Sequence, residues 1–326
     1  YLYYDMCRYL FYIFSFIIVG CSTDNSESYD IIDFGSHQTF DVLTWNIENF
    51  PKNYEVTTDY VSEFILGLNV DVIALQEIEN QNAFDNLINS LGPQWEGYRA
   101  DDGNWGELSY LINTNFIEII HLPYTILDEY EHYFAGRSPY VIEVNFQGMN
   151  YVIINVHFKC CGDGIIDLDY WDEEYRRKKA SEYLKNYIDN YFSNNNVLLL
   201  GDFNDDIAES YNCYIDDDID EDIQDLIACN DEDGLWLSNN IFIDFINDSE
   251  NYFFADMHIA EGPPTNWSFP NWPSHLDHIL ITNEILDFDI STNTIKLENY
   301  MIGGWGKYES DISDHRPVGI SLLPNR

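Results

Sequence analysis

Positively charged residues are scarce in this chain of 326 residues. Lysine and arginine together number 14, against 58 aspartates and glutamates, and the formal net charge is −44 at pH 7. Proteins that bind nucleic acid without sequence preference present a basic surface, so this balance argues against tight, salt-sensitive binding of long polyanions. A dense acidic surface also keeps proteins soluble at high salt. Because bound cations can reverse the field at a site, the charge alone excludes no reaction on phosphate esters.

Long apolar runs are also lacking, except near the N-terminus. The run from Leu10 to Val19 is too short for a typical membrane span, but with Arg8 before it the run is typical of a signal-peptide core. It ends at Ile18-Val19-Gly20-Cys21, which resembles the lipoprotein box of bacterial exported proteins. This pattern predicts lipidation of Cys21 and attachment to a membrane through that lipid. A plain signal peptide that is cut elsewhere is the alternative.

The same pattern sets the expected organisation of the chain. Residues 1–21 form the lipoprotein signal peptide, residues 22–36 form an acidic flexible tether, and residues 37–326 form one domain. We therefore expect an exported, monomeric protein. Its location is the outer membrane or cell surface as a lipoprotein, or otherwise the periplasm or the medium.

Cysteine is sparse, and its spacing is informative. Without Cys7 and Cys21, four cysteines remain, and an even number in an exported protein suggests disulfides; they are Cys160, Cys161, Cys213 and Cys229. We favour a bond between Cys213 and Cys229, which leaves Cys160 and Cys161 as a vicinal pair, and cross-pairing is the alternative. A zinc site is less favoured because the usual C-x₂₋₄-C spacing is absent.

An acidic segment lies between Cys213 and Cys229. From Asp216 to Asp225 it has seven carboxylates in ten residues. It could hold a structural Ca²⁺ ion, but it lacks the glycine-bearing order of an EF-hand loop. A solvated surface loop is the preferred interpretation.

Short β-branched runs predict buried strands, and longer segments between them predict helices. The strands are expected at Val42–Trp45, Val70–Leu75, Tyr151–Val156, Val197–Leu200 and His278–Ile281. The helices are expected at Thr58–Leu68, Asn82–Leu91 and Glu173–Phe192. This alternation indicates a layered α/β protein, with polar residues just after buried strands where such scaffolds place chemistry.

Polar clusters close most of these runs. In chain order they are Trp45-Asn46, Gln76-Glu77, Asn155-Val156-His157, Gly201-Asp202-Phe203-Asn204, Leu276-Asp277-His278 and Ser313-Asp314-His315-Arg316-Pro317. From about Phe40 to about Leu322 this order resembles the endonuclease/exonuclease/phosphatase superfamily, which includes pancreatic-type deoxyribonucleases, abasic-site endonucleases, inositol polyphosphate phosphatases and bacterial sphingomyelinases. The resemblance implies a four-layer α/β sandwich, with two mixed β-sheets packed face to face and helices outside.

Cleaving a phosphodiester requires charge neutralisation at the phosphoryl oxygens, an activated water and a stabilised leaving oxygen. A hard divalent cation, Mg²⁺ or Mn²⁺, does the first job and prefers oxygen ligands. Glu77 is the best candidate ligand. The resemblance implies that Asn46 and Asp314 lie beside the same metal, with Asp314 acting directly or through water.

The resemblance also implies the roles of the catalytic side chains. Asp202 would orient or activate the attacking water, and Asn204 would hold a phosphoryl oxygen or a second cation. Asp277 would pair with His315 and favour its protonated form. His157 matches a histidine that the nuclease and sphingomyelinase branches carry and the abasic-site enzymes lack.

Substrate contacts are predicted at Arg137, Lys159 and Trp267. A surface ion pair is an equal alternative for Arg137. For Trp267 and its neighbour Trp272, anchoring of a long loop is the preferred alternative. Another set of histidines has no predicted catalytic role: His275 and His278 are read as packing or surface residues, and His121, His132 and His258 have no motif support.

These features predict a divalent-metal-dependent phosphodiesterase, exported, with extracellular DNA or RNA as its leading substrate. Within hydrolases, a phosphatase or a sphingomyelinase-like phospholipid phosphodiesterase is the alternative, which the acidic charge supports. A non-catalytic surface binding protein on the same scaffold is a third interpretation, and the complete set of site residues argues against it.

Overall fold

The computed structural model describes residues 32–101, 106–164, 166, 169–208 and 240–324. Several expectations lie outside these residues: the signal peptide, Cys21, the tether up to residue 31, Cys213, Cys229 and the acidic segment Asp216–Asp225. Within the described ranges, no helix combines the length and the apolar character that crossing a membrane requires.

The first β-sheet has six strands in the spatial order β11-β12-β1-β2-β4-β3. Their bounds are β1 Phe40–Phe50, β2 Val72–Ile78, β3 Trp95–Arg99, β4 Ser109–Asn113, β11 Asp289–Thr294 and β12 Val318–Leu323. The central strands β1 and β2 are parallel, and the remaining neighbours are antiparallel.

The second sheet repeats this plan with six strands in the order β5-β6-β7-β8-β10-β9. Their bounds are β5 Ile117–Thr125, β6 Tyr140–Phe146, β7 Met149–His157, β8 Asn196–Asp202, β9 Tyr252–Phe254 and β10 Asp277–Thr282. Strands β7 and β8 are the parallel pair at its centre. Both sheets are therefore mixed.

Helices cover the outer faces. The longer ones are α1 Tyr54–Leu68, α2 Gln81–Leu91, α3 Glu173–Tyr191 and α6 Gly304–Asp311, and the single turns α4 and α5 span Ile243–Ile246 and Met257–Ala260. The Asn80 and Asp172 side chains accept hydrogen bonds from the third backbone N–H groups of α2 and α3. These are ordinary N-caps, which satisfy donors that a helix start leaves without partners.

Three apolar layers separate the four structural layers. The middle one lies between the sheets and includes Val42, Ile153 and Ile320. One outer layer packs α1 and α2 on the first sheet, and the other packs α3 and α4 on the second. The expected four-layer sandwich is confirmed, and the predicted strands and helices match the observed elements except for shifts at their ends.

Candidate active site

The strand register places the polar clusters of each sheet side by side. Asn46 of β1 is opposite Gln76 of β2, one residue before Glu77. In the second sheet, His157 is opposite Asp202, and Asp202 is also opposite Asp277. Because side chains at paired positions share a face, the three residues of the second sheet form one row at the end of their strands.

A buried amide joins the two sheets at this end. The Asn46 side-chain NH₂ donates to Glu77 Oε1 at 3.1 Å and to Asp202 Oδ2 at 2.9 Å. A fixed amide between two carboxylates holds both in place and leaves the rest of each carboxylate to other partners. The Asn46 bridge therefore aligns the metal-ligand candidates of the first sheet with the candidate catalytic residues His157, Asp202 and Asp277 of the second, which we call the catalytic row.

The backbone around this bridge is held in an unusual conformation. Glu77, Asn49 and Asn204 have φ values of +64°, +53° and +54°, in the left-handed region. Hydrogen bonds to the site fix each turn: the Asn49 backbone N–H donates to Glu77 Oε2 at 2.9 Å, and the Asn204 N–H donates to Asp202 Oδ1 at 3.0 Å. Strained backbone of this kind clusters at functional sites because the surrounding structure must enforce it.

His315 lies between two carboxylates. Its Nδ1 donates to Asp277 Oδ2 at 2.7 Å, and its Nε2 is 3.9 Å from Asp202 Oδ2. Burial lowers the pKa of His315, but the charges of Asp277 and Asp202 more than offset it and raise the pKa to about 10. The imidazole is therefore protonated at neutral pH and can donate to an oxygen that carries negative charge.

Asp202 is a buried carboxyl group whose pKa is also raised. Burial raises the pKa of Asp202 to about 7, with a further rise from the Asp277 charge, while His315 and the Asn46 amide lower it. A carboxyl group that titrates near neutral pH can accept a proton from water at physiological pH and release it again. This behaviour suits the role predicted for Asp202.

His157 completes the row and is neutral. Burial lowers the pKa of His157, and the charges of Arg137 and His315 lower it further. Its Nε2 is 3.5 Å from Asp202 Oδ2, which is therefore a long contact to a neutral ring and not an ion pair. Within the described part of the chain its buried Nδ1 has no hydrogen-bond partner.

The donors at this site fit a hard divalent cation. They are carboxylate and amide oxygens, burial and the Asp277 charge raise the pKa of Asp202, and the buried Asp277 Oδ1 has no hydrogen-bond partner among the described residues. Glu77, Asn46 and Asp314 remain the residues that would hold the metal. A second possible ligand set has its ligand-type atoms close enough together to hold one metal ion: Asp202, Asp277 and His315. A protonated His315 has no lone pair for a metal, so we do not assign that trio as ligands.

Asp314 is the most open of these residues, with 28% of its side chain exposed. Its backbone N–H donates to Glu48 Oε2 at 3.0 Å, and the same carboxylate pairs with Lys52. Burial raises the pKa of Glu48, and the Asp314 charge raises it further. The sequence interpretation passed over Glu48, although its position two residues after Asn46 was the available indication.

The predicted substrate contacts are placed differently. The Arg137 guanidinium is buried and donates to the backbone carbonyls of His157 and Phe158, both at 3.2 Å. Lys159 is half-buried, and its Nζ lies 2.9 Å from the Cys160 carbonyl oxygen. The Trp267 indole N–H donates to the Ile259 carbonyl at 3.1 Å, whereas Trp272 is 79% exposed. Their roles toward a substrate stay predictions.

A second histidine–aspartate cluster lies behind the site, and the sequence interpretation missed its centre, Asp256. Asp256 Oδ2 accepts hydrogen bonds from His278 Nδ1 at 2.6 Å and from His275 Nε2 at 3.0 Å. The Ser268 backbone N–H approaches His275 Nδ1 at 3.3 Å. His275 and His278 are thus completely buried packing residues, one of the two interpretations that the sequence left open. No motif marks Asp256, so no sequence feature available to us would have found it.

One protein family and several solved structures are similar to this chain. The sequence model described as "Endonuclease/Exonuclease/phosphatase family" matches residues 43–315. A D. rerio TDP2 structure complexed with single strand DNA product has 11% identity and a TM-score of 0.61, covering 88% of this chain and 99% of that chain. The human Nocturnin catalytic domain with bound sulfate has 14% identity and a TM-score of 0.56, covering 88% and 94%.

A bacterial structure is similar to the same degree. The endonuclease/exonuclease/phosphatase from Bacteroides vulgatus has 14% identity and a TM-score of 0.57, covering 88% of this chain and 99% of that chain. At such identities the structural matches show a common fold. No curated protein sequence matches this chain.

Proposed function

This chain belongs to the endonuclease/exonuclease/phosphatase family, whose members are metal-dependent phosphoester hydrolases, and we propose that it is an exported phosphodiesterase that cleaves nucleic acid with Mg²⁺ or Mn²⁺. The family matches most of the chain, from residue 43 to residue 315. Substrate, ion and location are the parts that we propose.

The observation that carries the proposal is that a carboxyl group with a pKa near neutrality, Asp202, lies beside a protonated imidazole, His315. The two groups lie 3.9 Å apart between Oδ2 and Nε2. The pKa of Asp202 is raised to about 7, and that of His315 is raised to about 10. A basic carboxylate next to a fixed imidazolium supplies proton acceptance and anion stabilisation within one small space.

The chain's own residues have the following roles in the proposed reaction. Asp202 takes a proton from the attacking water, and Asn46 holds Asp202 in position through its 2.9 Å hydrogen bond. His315 donates to a non-bridging phosphoryl oxygen, with Asp277 fixing its ring at 2.7 Å. The bound divalent cation supplies charge neutralisation at the phosphoryl group.

The proposal is tested with the purified chain, Mg²⁺ or Mn²⁺, and then EDTA. The substrates are plasmid DNA, RNA, sphingomyelin and inositol phosphates. We expect metal-dependent cleavage of DNA or RNA that EDTA abolishes. Turnover of sphingomyelin or inositol phosphates with inert nucleic acids would contradict the proposed substrate, and no metal-dependent turnover of any phosphoester would favour a non-catalytic binding protein.

A compact phosphoester is the second candidate, and the use of the cations inside the fold favours it. Several arginines donate to backbone carbonyls within the described ranges: Arg99 to Ile78, Arg137 to His157 and Phe158, Arg177 to Lys159 and Cys161, and Arg316 to Thr265 and Trp267. Guanidinium groups engaged in this way offer fewer donors to a polyanion. With a net charge of −44, a long duplex would meet mainly acidic surface.

A salt series separates the two candidates. A nuclease with few basic contacts loses little affinity to counterion competition, so cleavage of a long duplex should survive high salt. We would measure kcat/KM for a long duplex, a dinucleotide and a phospholipid headgroup across that series. Negligible duplex cleavage at every salt concentration, with intact turnover of the small substrates, would replace nucleic acid by a compact phosphoester.

The proposed location rests on Ile18-Val19-Gly20-Cys21 alone. Full-length protein made in a diderm bacterium should partition with membranes, and Cys21→Ser should abolish labelling by a fatty-acid probe, since acyl chains supply the anchor. Membrane retention without lipid labelling would instead indicate an uncleaved hydrophobic segment.

A further inference from the structure

Two adjacent thiols meet on the loop that follows β7. Cys160 and Cys161 are exposed, and the Cys161 thiol donates to Cys160 Sγ at 3.0 Å. Consecutive side chains on an extended backbone point to opposite faces, so neighbouring cysteines do not ordinarily bring their sulfurs together. A local backbone conformation must hold them in contact.

That conformation places Cys161 in the left-handed region. Cys161 has a φ of +72°, which is unfavourable for a non-glycine residue and persists only where the surroundings enforce it. The enforcing group is Arg177 of α3, whose Nη1 donates to the carbonyls of Lys159 at 2.8 Å and Cys161 at 2.7 Å. Arg177 is itself buried and fixed by Asp205 Oδ2 at 2.9 Å.

Glu174 of α3 holds the next part of the loop. The Gly164 backbone N–H donates to Glu174 Oε1 at 2.6 Å. Gly162 has a φ of +116°, and a Cβ added there would lie 2.1 Å from the same oxygen. The inner side of the loop is therefore packed against α3, and the two sulfurs lie on its outer side, where small molecules reach them.

We propose that Cys160 and Cys161 form a reversible dithiol–disulfide pair, a modification site at which the two adjacent residues close into one ring. The oxidant is a low-molecular-weight disulfide such as oxidised glutathione. The Cys160 sulfur attacks one sulfur of the oxidant and releases the first thiol. The Cys161 sulfur then attacks Cys160 Sγ and releases the second. The two cysteine protons end on the two released thiols, and the two electrons of the dithiol reduce the oxidant.

The surroundings favour Cys160 as the first attacker. Its Sγ accepts the Cys161 thiol hydrogen bond and lies 3.6 Å from the Lys159 Nζ, and both contacts stabilise a thiolate at that sulfur. The same hydrogen bond raises the pKa of the Cys161 thiol, so Cys161 keeps its proton until the second step.

The ring should be easily reduced. Adjacent Cα atoms lie about 3.8 Å apart across a trans peptide, below the roughly 4.4–6.8 Å usual for disulfides. A disulfide between neighbours is therefore strained, and strained, exposed disulfides are the easily reduced ones. This separates the pair from a structural bridge to Cys213 or Cys229.

Peptide mass mapping of the full chain tests the proposal without any activity measurement. After equilibration with excess oxidised glutathione, the peptide containing Cys160 and Cys161 should be two hydrogens lighter, and reduced glutathione should restore it. The Cys213→Ser/Cys229→Ser double variant should behave identically. A link from Cys160 or Cys161 to Cys213 or Cys229, or both thiols staying free in excess oxidant, would overturn the proposal.

A second measurement tests whether Arg177 keeps the two thiols in contact. Arg177→Lys removes the guanidinium whose Nη1 donates to both carbonyls, so the rate of ring closure should fall at least about tenfold, because the thiols lose their fixed proximity. Lys178→Met, one position along α3, serves as the matched control and should close at the native rate. Equal closure in Arg177→Lys and the native chain would show that the fold does not hold the pair together.

Discussion

Strand β10 separates two histidine–aspartate clusters, one on each of its faces. Asp277 faces His315 and Asp202, where the catalytic row forms. The next residue, His278, faces the helical side and contacts Asp256 among aromatic rings such as Phe203. Since side chains alternate along a strand, a step of one residue moves from one cluster to the other.

The clusters differ in how completely their polar atoms are used. Asp256 Oδ1 accepts the Ile279 N–H, Oδ2 accepts from both histidines, and His278 Nε2 donates to the Asp205 carbonyl at 2.9 Å. In the catalytic row, Asp277 Oδ1 and His157 Nδ1 have no hydrogen-bond partner in the described ranges. The two clusters are thus similar in burial and residue types but differ in hydrogen bonding. The polar side-chain atoms of Asp256, His275 and His278 all have hydrogen-bond partners, and we call this cluster the brace; the catalytic row keeps side-chain atoms without partners.

Saturation also argues against metal binding at the second cluster. Its three ligand-type atoms lie within reach of one ion. However, each ring nitrogen of His278 faces a hydrogen-bond acceptor. Burial lowers the pKa of His278, but the Asp256 charge more than offsets this effect, so the pKa is raised. A doubly protonated ring donates twice and leaves no lone pair.

The largest expected effect is on turnover. His315→Ala should lower kcat of the folded protein by a factor on the order of 10²–10⁴, the range for a positioned acid–base group, and it should also lower the free energy of unfolding because it leaves the buried Asp277 carboxylate without its cationic partner. Steady-state kinetics and urea denaturation measure both. His258→Ala, at an exposed histidine, is the matched control and should match the native enzyme. Near-native turnover of His315→Ala would show that His315 has no catalytic role.

The two clusters also differ in how far the sequence predicted them. Asp202 ends a short apolar run, whereas Asp277 and His315 precede such runs, and all three stand in family order, so motif and strand pattern together located them. The layers were predictable for the same reason, because β-branched runs alternate with helical segments. Asp256 and Glu48 escaped because their partners are distant in sequence and only the packed fold brings them together.

The second effect is on stability. His278→Ala leaves the Asp256 carboxylate buried without its cationic partner, which costs about 3–5 kcal/mol in comparable buried pairs. Urea denaturation should show that loss in the free energy of unfolding, while kcat of the folded fraction falls by less than about tenfold. A stability within about 1 kcal/mol of native would mean that the brace contributes little.

The brace also predicts a pH window for stability. Burial raises the pKa of Asp256, but His278 and His275 more than offset it, so the net pKa is lowered. Its contribution is present above the ordinary carboxyl range and is lost in strong acid. The raised pKa of His278 gives a contribution that is complete below about 6.5 and is lost as pH rises through the raised value. In His278→Ala the His278 contribution should vanish and the Asp256 contribution should shrink, since only His275 still donates to Asp256.

The catalytic row should depend on pH differently. The pKa of Asp202 is about 7 in the metal-free fold, above its ordinary value of 3.8. The folded state then binds the extra proton, so stability falls as pH rises from about 4 to about 7. In EDTA, Asp202→Asn should flatten that part of the melting-temperature profile and raise stability near neutral pH. An unchanged profile would contradict the unfavourable charge assigned to Asp202.

Metal affinity should change by a smaller amount. Glu77→Gln keeps the size of the side chain and removes the charge that a hard cation prefers. We expect the Mg²⁺ concentration for half-maximal activity to rise at least about 10- to 100-fold, which is the loss that changes to residues behind the metal ligands already cause. Glu118→Gln, at an exposed position, is the matched control. An unchanged metal titration for Glu77→Gln would show that Glu77 is not a ligand.

The smallest expected effect is the coupling between the two clusters. Ser268 links them, because its backbone N–H approaches His275 Nδ1 at 3.3 Å and its Oγ accepts the Asp277 N–H at 3.2 Å, whereas the Asp277 and His278 side chains point to opposite faces of β10. A double-mutant cycle of Asp202→Asn and Asp256→Asn, measured by urea denaturation in EDTA, should therefore give an interaction energy below about 1 kcal/mol. A coupling of about 2 kcal/mol or more would mean that the brace and the catalytic row act as one network. In that case the difference in hydrogen-bond saturation would not separate a structural cluster from a catalytic one.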